Sequence, residues 1–380
     1  MPESWAIWCV GMAAAVVLYS YAGYPLLVWV LARWFGQAPQ RRAISPRVSL
    51  VIPAYNEVRH LTAKLENALA LDYPANRLEI VVASDGSTDG TNAIADSFRR
   101  HGVRVLAMRD HLGKAPMLNR VLPHLRGELV VFSDASSLLE RDALYQLVQP
   151  FADPQVGCVS GGYRLTSSAD VRSQGENLYW RYETFLKMQE SRLHSILGAH
   201  GAFYAIRRSL FVRLEDAAIN DDYLIPMRIV AQGYRAVYAP RARAWERELS
   251  SVKGDFARRR RIAAGNCQQM VRLRTLLHPR RGWVAFCFFS HKVLRTIAPI
   301  FLLLALLASG WLPRPWSQVL LGVQVVFYVS ALAGYLCQRS GRVIRWLSPS
   351  LYFCLGNLAM LAGLVTYCAA RRAPAWGRTS

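Results

Sequence analysis

From Trp5 to Ala32 the chain carries no charged residue, and the run ends at Arg33, with Arg41 and Arg42 close behind. A bilayer core needs roughly 20 apolar residues in a helix, so this stretch is long enough to cross with some tilt. A cleaved signal peptide is the alternative, but no positive segment precedes the run and it is too long for a signal's apolar core. The basic residues that follow predict a carboxyl end on the cytoplasmic side. The far end of the chain repeats the theme, with apolar spans expected at about 296–312, 318–337 and 347–370. Arg339, Arg342 and Arg345 between the last two predict a cytoplasmic loop, whereas three spans leave Arg371 and Arg372 outside, against the same rule. Ahead of them, 283–295 combines an apolar piece with His291, Lys292 and Arg295 and is expected to be an amphipathic helix on the membrane surface.

Composition supports a membrane protein with a charged cytoplasmic face. Hydrophobic residues make up 53% of 380, yet Lys and Arg exceed Asp and Glu 46 to 25, a net charge of +21. Such a balance points to anionic partners: headgroups, a phosphorylated substrate, or nucleic acid. The seven cysteines are scattered without a CxxC pair, so neither a disulfide framework nor a zinc site is indicated. No internal repeat or low-complexity segment is visible.

Between the apolar ends, 45–275 reads as one α/β domain. Short apolar runs at 48–52, 80–83, 103–106 and 129–132 alternate with helically spaced segments such as Leu61, Leu65, Leu69. This alternation predicts βαβ units and a mostly parallel sheet. Ligands of such sheets bind at the carboxyl ends of the strands.

Three of those ends carry chemistry. After the first strand, VIPAYNE places Pro53, Tyr55 and Glu57 at a strand terminus. After the second, SDGSTDGT puts Asp85 at the strand end. Gly86 and Gly90 there allow positive φ, Ser87 and Thr88 can cap the following helix, and Asp89 is the likelier cap than ligand. A carboxylate at Asp85 can accept from the N–H of a nucleobase, although an Asx-turn explains the stretch equally well. In VVFSDASS another strand ends in an acid, Asp134, with Ser136 two residues on, a placement that suits a hard cation bridging a diphosphate. Between them, Gly113 and Lys114 offer a cation at a helix start.

The ordered set VIPAYNE, SDGSTDGT, GKAPMLN and FSDAS resembles the family 2 glycosyltransferases, which have the GT-A fold. That resemblance implies a nucleotide pocket lined by Pro53, Tyr55 and Glu57, a uracil contact at Asp85, and Lys114 near base and ribose. It also implies a metal motif at Asp134 and Ser136 that would hold Mg2+ or Mn2+. The usual second acid is absent, and a Ser supplies only a neutral oxygen.

The second half of the domain departs further. LGAHGAFYAIRRSLF resembles the acceptor loop, with His200 and Gly201 as candidate contacts; a single His is more often structural. AINDDYLIPMRIVAQG is similar to the segment bearing the base, which implies Asp222, with Asp221 in place of the acid that usually precedes it. Two capping carboxylates on a helix dipole are the alternative. The Arg258–Arg261 run occupies the place of a Q-x-x-R-W motif. Arg261 matches its Arg, which would neutralise a leaving diphosphate, but Arg258 and Ile262 replace its Gln and Trp.

The expected activity is therefore inverting transfer of a sugar from a UDP-sugar to a growing envelope or extracellular glycan. The resemblance is greatest to the cellulose, chitin, hyaluronan and poly-N-acetylglucosamine synthases. It implies an active site on the cytoplasmic face of the plasma (inner) membrane and partner subunits for export. Two other readings compete: transfer of one sugar to a polyprenyl phosphate or other lipid-linked acceptor, and a non-catalytic nucleotide-binding membrane component. Nucleic acid is not an expected partner, because the Arg run lies just ahead of membrane segments.

Overall fold

The structure is a computed structural model that describes residues 2–165, 172–246, 252–340, 342 and 344–369. Arg371 and Arg372, which set the expected side of the last span, lie outside the described residues.

Eight strands form one mixed sheet: β1 (Val48–Ala54), β2 (Leu78–Asp85), β3 (Arg104–Met108), β4 (Leu129–Phe132), β5 (Ser137–Leu139), β6 (Val156–Leu165), β7 (Tyr204–Arg207) and β8 (Arg235–Glu246). Their order is β3-β2-β1-β4-β7-β6-β8-β5. The first four strands are parallel; β7 runs antiparallel to both β4 and β6, and β8 returns parallel to β6.

β1 is buried along its whole length because both faces are covered. Leu50 and Ile52 face a core containing Leu61 and Leu65, while Val51 faces the opposite core with Met117 and Leu118. A strand sandwiched in this way has no need of a polar alternation, which is why it reads as a continuous apolar run. Pro53 does not end β1. The ladder to β2 continues to Ala54, and only the pairing with β4 stops at Val51. The chain winds outward through β2 and β3 and then crosses back to β4, so the crevice lies at the carboxyl ends of β1 and β4.

Among the described residues four helices are long and apolar enough to cross a membrane: Ser4–Phe35, Trp283–Ser309, Trp316–Arg339 and Arg345–Ala369. The separate surface helix expected over 283–295 is not separate. Trp283–Cys287 passes through a π-helical segment, Phe288–Val293, straight into Leu294–Ser309. The polar residues that made it look amphipathic are turned inward: His291 is 5% exposed. The first span also contains a π-helical segment, Tyr19–Gly23, and the two are joined by Tyr19 and Ser290, hydroxyl to hydroxyl at 2.8 Å.

The apolar helices grip the α/β domain directly. The Tyr24 hydroxyl donates to Glu190 on the helix Arg172–Leu193 at 2.7 Å. At Gly363, in the helix Ser348–Ala369, an added Cβ would stand 2.4 Å from the Ala263 Cβ of the helix Val252–Arg272. The basic helix Val252–Arg272 thus packs closely against the last apolar helix.

Candidate active site

The loops after β1 and β2 are laced together. Asn56, the one described non-glycine residue with positive φ (53°), donates its N–H to Ser87 Oγ (3.2 Å) and accepts from the Thr88 N–H (2.9 Å). Ser87 and Thr88 therefore serve Asn56 and not the following helix. Asp89 is the cap, accepting from the Thr91 N–H at 3.1 Å.

Asp85 is wholly buried. Its two oxygens accept from the N–H groups of Leu112 (2.9 Å) and Gly113 (2.8 Å), and His111 Nδ1 lies 2.9 Å away. The carboxylate expected to meet a nucleobase is instead occupied with the loop 111–113. Gly86 allows that closeness: its φ is +67°, and a Cβ would come within 2.4 Å of the His111 nitrogen. The loop is thereby pressed against Tyr55, whose ring stacks on His111 with centroids 3.8 Å apart. The carboxylate of Glu57 lies 3.1 Å from His60 Nδ1, while its N–H donates to Thr91.

Deeper in the cleft three carboxylates surround one cation. Lys114, at the start of the helix Lys114–Val121, lies 3.2 Å from Asp221 and 3.5 Å from Asp134. Burial disfavours its ammonium, but Asp221, Asp134 and Asp222 more than offset this and hold its pKa above the usual value. Asp134 is the open member, 43% exposed against 8% for Asp221. Ser136, expected as its partner in binding a metal, donates to Glu246 at 2.9 Å, and Glu246 also accepts from the Tyr163 hydroxyl. Among the described residues no group of three or more His, Cys, Asp or Glu side chains is arranged to hold a metal ion.

Asp222 lies at the start of the helix Asp221–Ala231. Its carboxylate accepts from the Gly201 N–H at 3.1 Å. A Cβ on Gly201 would stand 3.1 Å from Asp222 Oδ2 and 3.5 Å from Asp134 Oδ2, so the two carboxylates face each other across this glycine. Desolvation in the cleft and the adjacent Asp221 raise the Asp222 pKa to about 6. The main chain is fixed as well. Pro226 has no N–H to offer the Asp222 carbonyl, which accepts from Ala199 of the acceptor loop at 2.8 Å.

His200 is held between aromatic rings, stacked on Tyr163 at 4.2 Å and edge-on to Trp180 at 4.8 Å. Burial, with Lys187 and Arg258 nearby, pushes its pKa well below the ordinary value, so its imidazole is neutral. Arg258 is exposed, whereas Arg261 is partly buried. Desolvation and Arg258 lower the Arg261 pKa against the pull of Asp222, Asp221 and Asp134, which places its guanidinium in the field of the carboxylate cluster.

Sequence reasoning missed several residues that support this arrangement. Lys64 is fully buried under the Asp134 loop and donates to Ser133 Oγ (2.6 Å) and to the Ser137 carbonyl (2.5 Å). Asn220 donates to the Ile262 carbonyl at 3.0 Å, and Gln268 donates to Ala217 at 2.9 Å, tying the loop before Asp221 to the basic helix. Pro226 alone had a readable signal, a proline four residues after the expected base.

A parallel half-sheet, followed by an antiparallel return and a pair of carboxylates at a helix start, is the arrangement of the GT-A fold. The family described as glycosyltransferase-like family 2 matches residues 46–265, and the chain belongs to it. Similar curated proteins include a probable glycosyltransferase, YdaM, of Bacillus subtilis, 30% identical over 58% of this chain and 55% of its own length. The poly-beta-1,6-N-acetyl-D-glucosamine synthase of Staphylococcus aureus is 24% identical over 59% of this chain and 56% of its own length. The chain thus spans about half the length of the curated relatives it matches. Among solved structures, the mannosyltransferase PcManGT of Pyrobaculum calidifontis, in complex with GDP-Man and Mn2+, superposes with a TM-score of 0.73 at 25% identity. That match covers 95% of this chain and 99% of the other.

Proposed function

We propose that the chain moves a sugar with inversion from a nucleoside-diphosphate sugar to an acceptor at the membrane end of the cleft, with Asp222 as base. The observation that carries this is the facing of Asp222 and Asp134 across Gly201. One carboxylate is open for the diphosphate side, and the other is tuned to about 6 for taking a hydroxyl proton.

The donor's base lies against Tyr55 and the loop 111–113, so Asp85 acts through that loop. UDP is the base the motifs suggest, and the GDP-Man bound by the similar mannosyltransferase makes GDP the second candidate. The acceptor hydroxyl enters beside Gly201 and His200, and Asp222 takes its proton as the bond from the sugar to the diphosphate breaks. Arg261 and Lys114 neutralise charge that develops on the leaving diphosphate.

A divalent cation fits as one held by Asp134 together with the donor, because its carboxylate is a hard oxygen ligand open to the cleft. When bound, such an ion supplies positive charge to the leaving diphosphate. Ser136, hydrogen-bonded to Glu246, is not assigned to it.

Of the two acceptors expected from the sequence, the lipid-linked one is favoured here over a growing glycan. The likeness that runs through apolar helices and catalytic domain together is to the mannosyltransferase. The arginine run also lacks the tryptophan that would offer a sugar ring a platform. The catalytic domain is assigned to the cytoplasmic side, where the basic residues after the first span lie. Export partners form no part of the proposal.

The test is to incubate membranes containing the protein with a panel of labelled UDP- and GDP-sugars and to size the extracted product, with and without EDTA. One sugar on a lipid-extractable product supports the proposal. A long polymer would return the acceptor to a growing glycan, and no transfer from any donor would remove the enzyme reading.

A further inference from the structure

Next to Asp222, on the side of the apolar helices, lies a group of charges that the proposed transfer does not use. The helix Arg172–Leu193 contributes Glu183, Lys187 and Glu190, and the span Trp283–Ser309 contributes His291, Lys292 and Arg295. Each acid is engaged through one oxygen, while Glu190 Oε2 has no hydrogen-bond partner among the described residues. Glu183 accepts from Arg295 at 2.6 Å. Glu190 accepts from the Tyr24 hydroxyl at 2.7 Å and lies 2.6 Å from His291 Nδ1.

The two lysines are left over. Among the described residues no carboxylate lies within 4.0 Å of either ammonium. Lys292 instead sits over the ring of Tyr223, 4.9 Å from its centroid. Tyr223 directly follows Asp222, is 5% exposed, and its hydroxyl has no hydrogen-bond partner. Glu183, Lys187 and Glu190 follow one another at i, i+4 and i+7 on one helix face, which sets Lys187 between the two acids that meet Arg295 and His291 on either side of Lys292. Burial lowers the Lys187 pKa, Glu183 opposes this, and Lys292 lowers it further, in keeping with that placement.

Two neighbouring cations, each only partly exposed and without a carboxylate at ion-pair distance among the described residues, favour an anionic ligand between them. Lys292 also lies in a π-helical segment inside an apolar span. Such segments and such ionisable residues both recur where a membrane protein handles a substrate.

We infer that Lys187 and Lys292 form an anion subsite for the phosphate of a lipid-linked acceptor, placed so that a hydroxyl of its head group, not the phosphate itself, reaches Asp222 while the lipid tail leaves along the apolar helices. This deepens the lipid-linked reading and rests on it. The donor's diphosphate has the same chemistry and is the competing source of the anion.

The test uses the full chain in phosphatidylcholine nanodiscs, comparing the native protein with Lys187→Met, Lys292→Met and the charge-keeping Lys292→Arg. Three probes are titrated: a long-chain polyprenyl monophosphate, the unphosphorylated polyprenol, and UDP or GDP with Mg2+. The expected result is about tenfold weaker polyprenyl phosphate binding in each Met variant, the scale of one lost charge-assisted contact. Binding should be near native in Lys292→Arg, with nucleotide affinity unchanged in all three. Unchanged nucleotide affinity also shows that the variants are folded. Should a Met variant fail to fold, the native protein still decides, since it must prefer the phosphate to the polyprenol.

Equal affinity for the phosphate and the alcohol would overturn the inference, and so would a loss confined to the nucleotide, which would assign the lysines to the donor. In either case transfer that still depends on Asp222 would leave the transferase reading standing. That reading falls separately, if no donor supports transfer.

Discussion

The base and its neighbours make the sharpest statements at the scale of single residues. Asp222 must be ionised to accept a proton, and its raised pKa of about 6 puts that ionisation within reach of a pH titration. kcat/KM is expected to be level near pH 7–8 and to fall as pH drops through about 6. The same shift carries a stability sign. A carboxyl whose pKa is higher in the fold favours folding most below its ordinary value, and that contribution is lost as pH rises through about 6. The site is therefore strained where it works. Asp85 acts by its hydrogen bonds, since its carboxylate holds two main-chain N–H groups of the loop 111–113. Hydrogen bonds to a charged group contribute about 1.5–3 kcal/mol each. Asp85→Ala is expected to lower the thermal midpoint and to weaken nucleotide binding together. A variant that bound UDP and GDP normally would show that the loop needs no anchor.

At the scale of elements, the catalytic helix is set by what its proline omits. Because Pro226 cannot donate to the Asp222 carbonyl, that carbonyl is free for the Ala199 N–H, which ties the helix to the loop around Gly201. Pro226→Ala would restore the helical donor and put it in competition with Ala199. Turnover is expected to fall severalfold while the thermal midpoint stays level or rises, because a proline inside a helix costs about 3 kcal/mol. A variant that lost stability and kept its turnover would contradict this. The legibility of the chain also divides by element. β1, β2 and β4 were readable because strands covered on both faces must be apolar throughout. The helix Trp283–Ser309 was misread at its start. His291, Lys292 and Arg295 imitate a polar face turned to water, but here His291 and Arg295 meet Glu190 and Glu183, about a hundred positions earlier, and Lys292 lies over the ring of Tyr223.

For the whole molecule, the order of loops carried the fold, and the pairings between distant loops carried the site. Asp134, Asp221 and Asp222 stood out as acids at strand or helix ends. Their assembly around Lys114 did not, because it depends on the crossing from β3 back to β4 and on the antiparallel return of β7. Ser136 was read as a ligand from its spacing to Asp134. Its partner, Glu246, lies 110 positions away at the end of β8, where no local pattern marks it. Lys64 was hidden for the opposite reason, since a lysine on a helix looks like a solvated one until the loop it supports is seen above it. The same architecture joins catalysis to the apolar helices through the basic helix Val252–Arg272, tied on one side to the loop before Asp221 and on the other to Gly363. The central claim is that this assembly transfers a sugar with Asp222 as base. The most direct measurement is transfer of labelled sugar by native protein and by Asp222→Asn, with the Kd for the nucleotide determined on both. Native protein should transfer and Asp222→Asn should lose about 100-fold or more, in line with the loss of a general base, at unchanged nucleotide affinity. Equal transfer by the two proteins would contradict the mechanism outright.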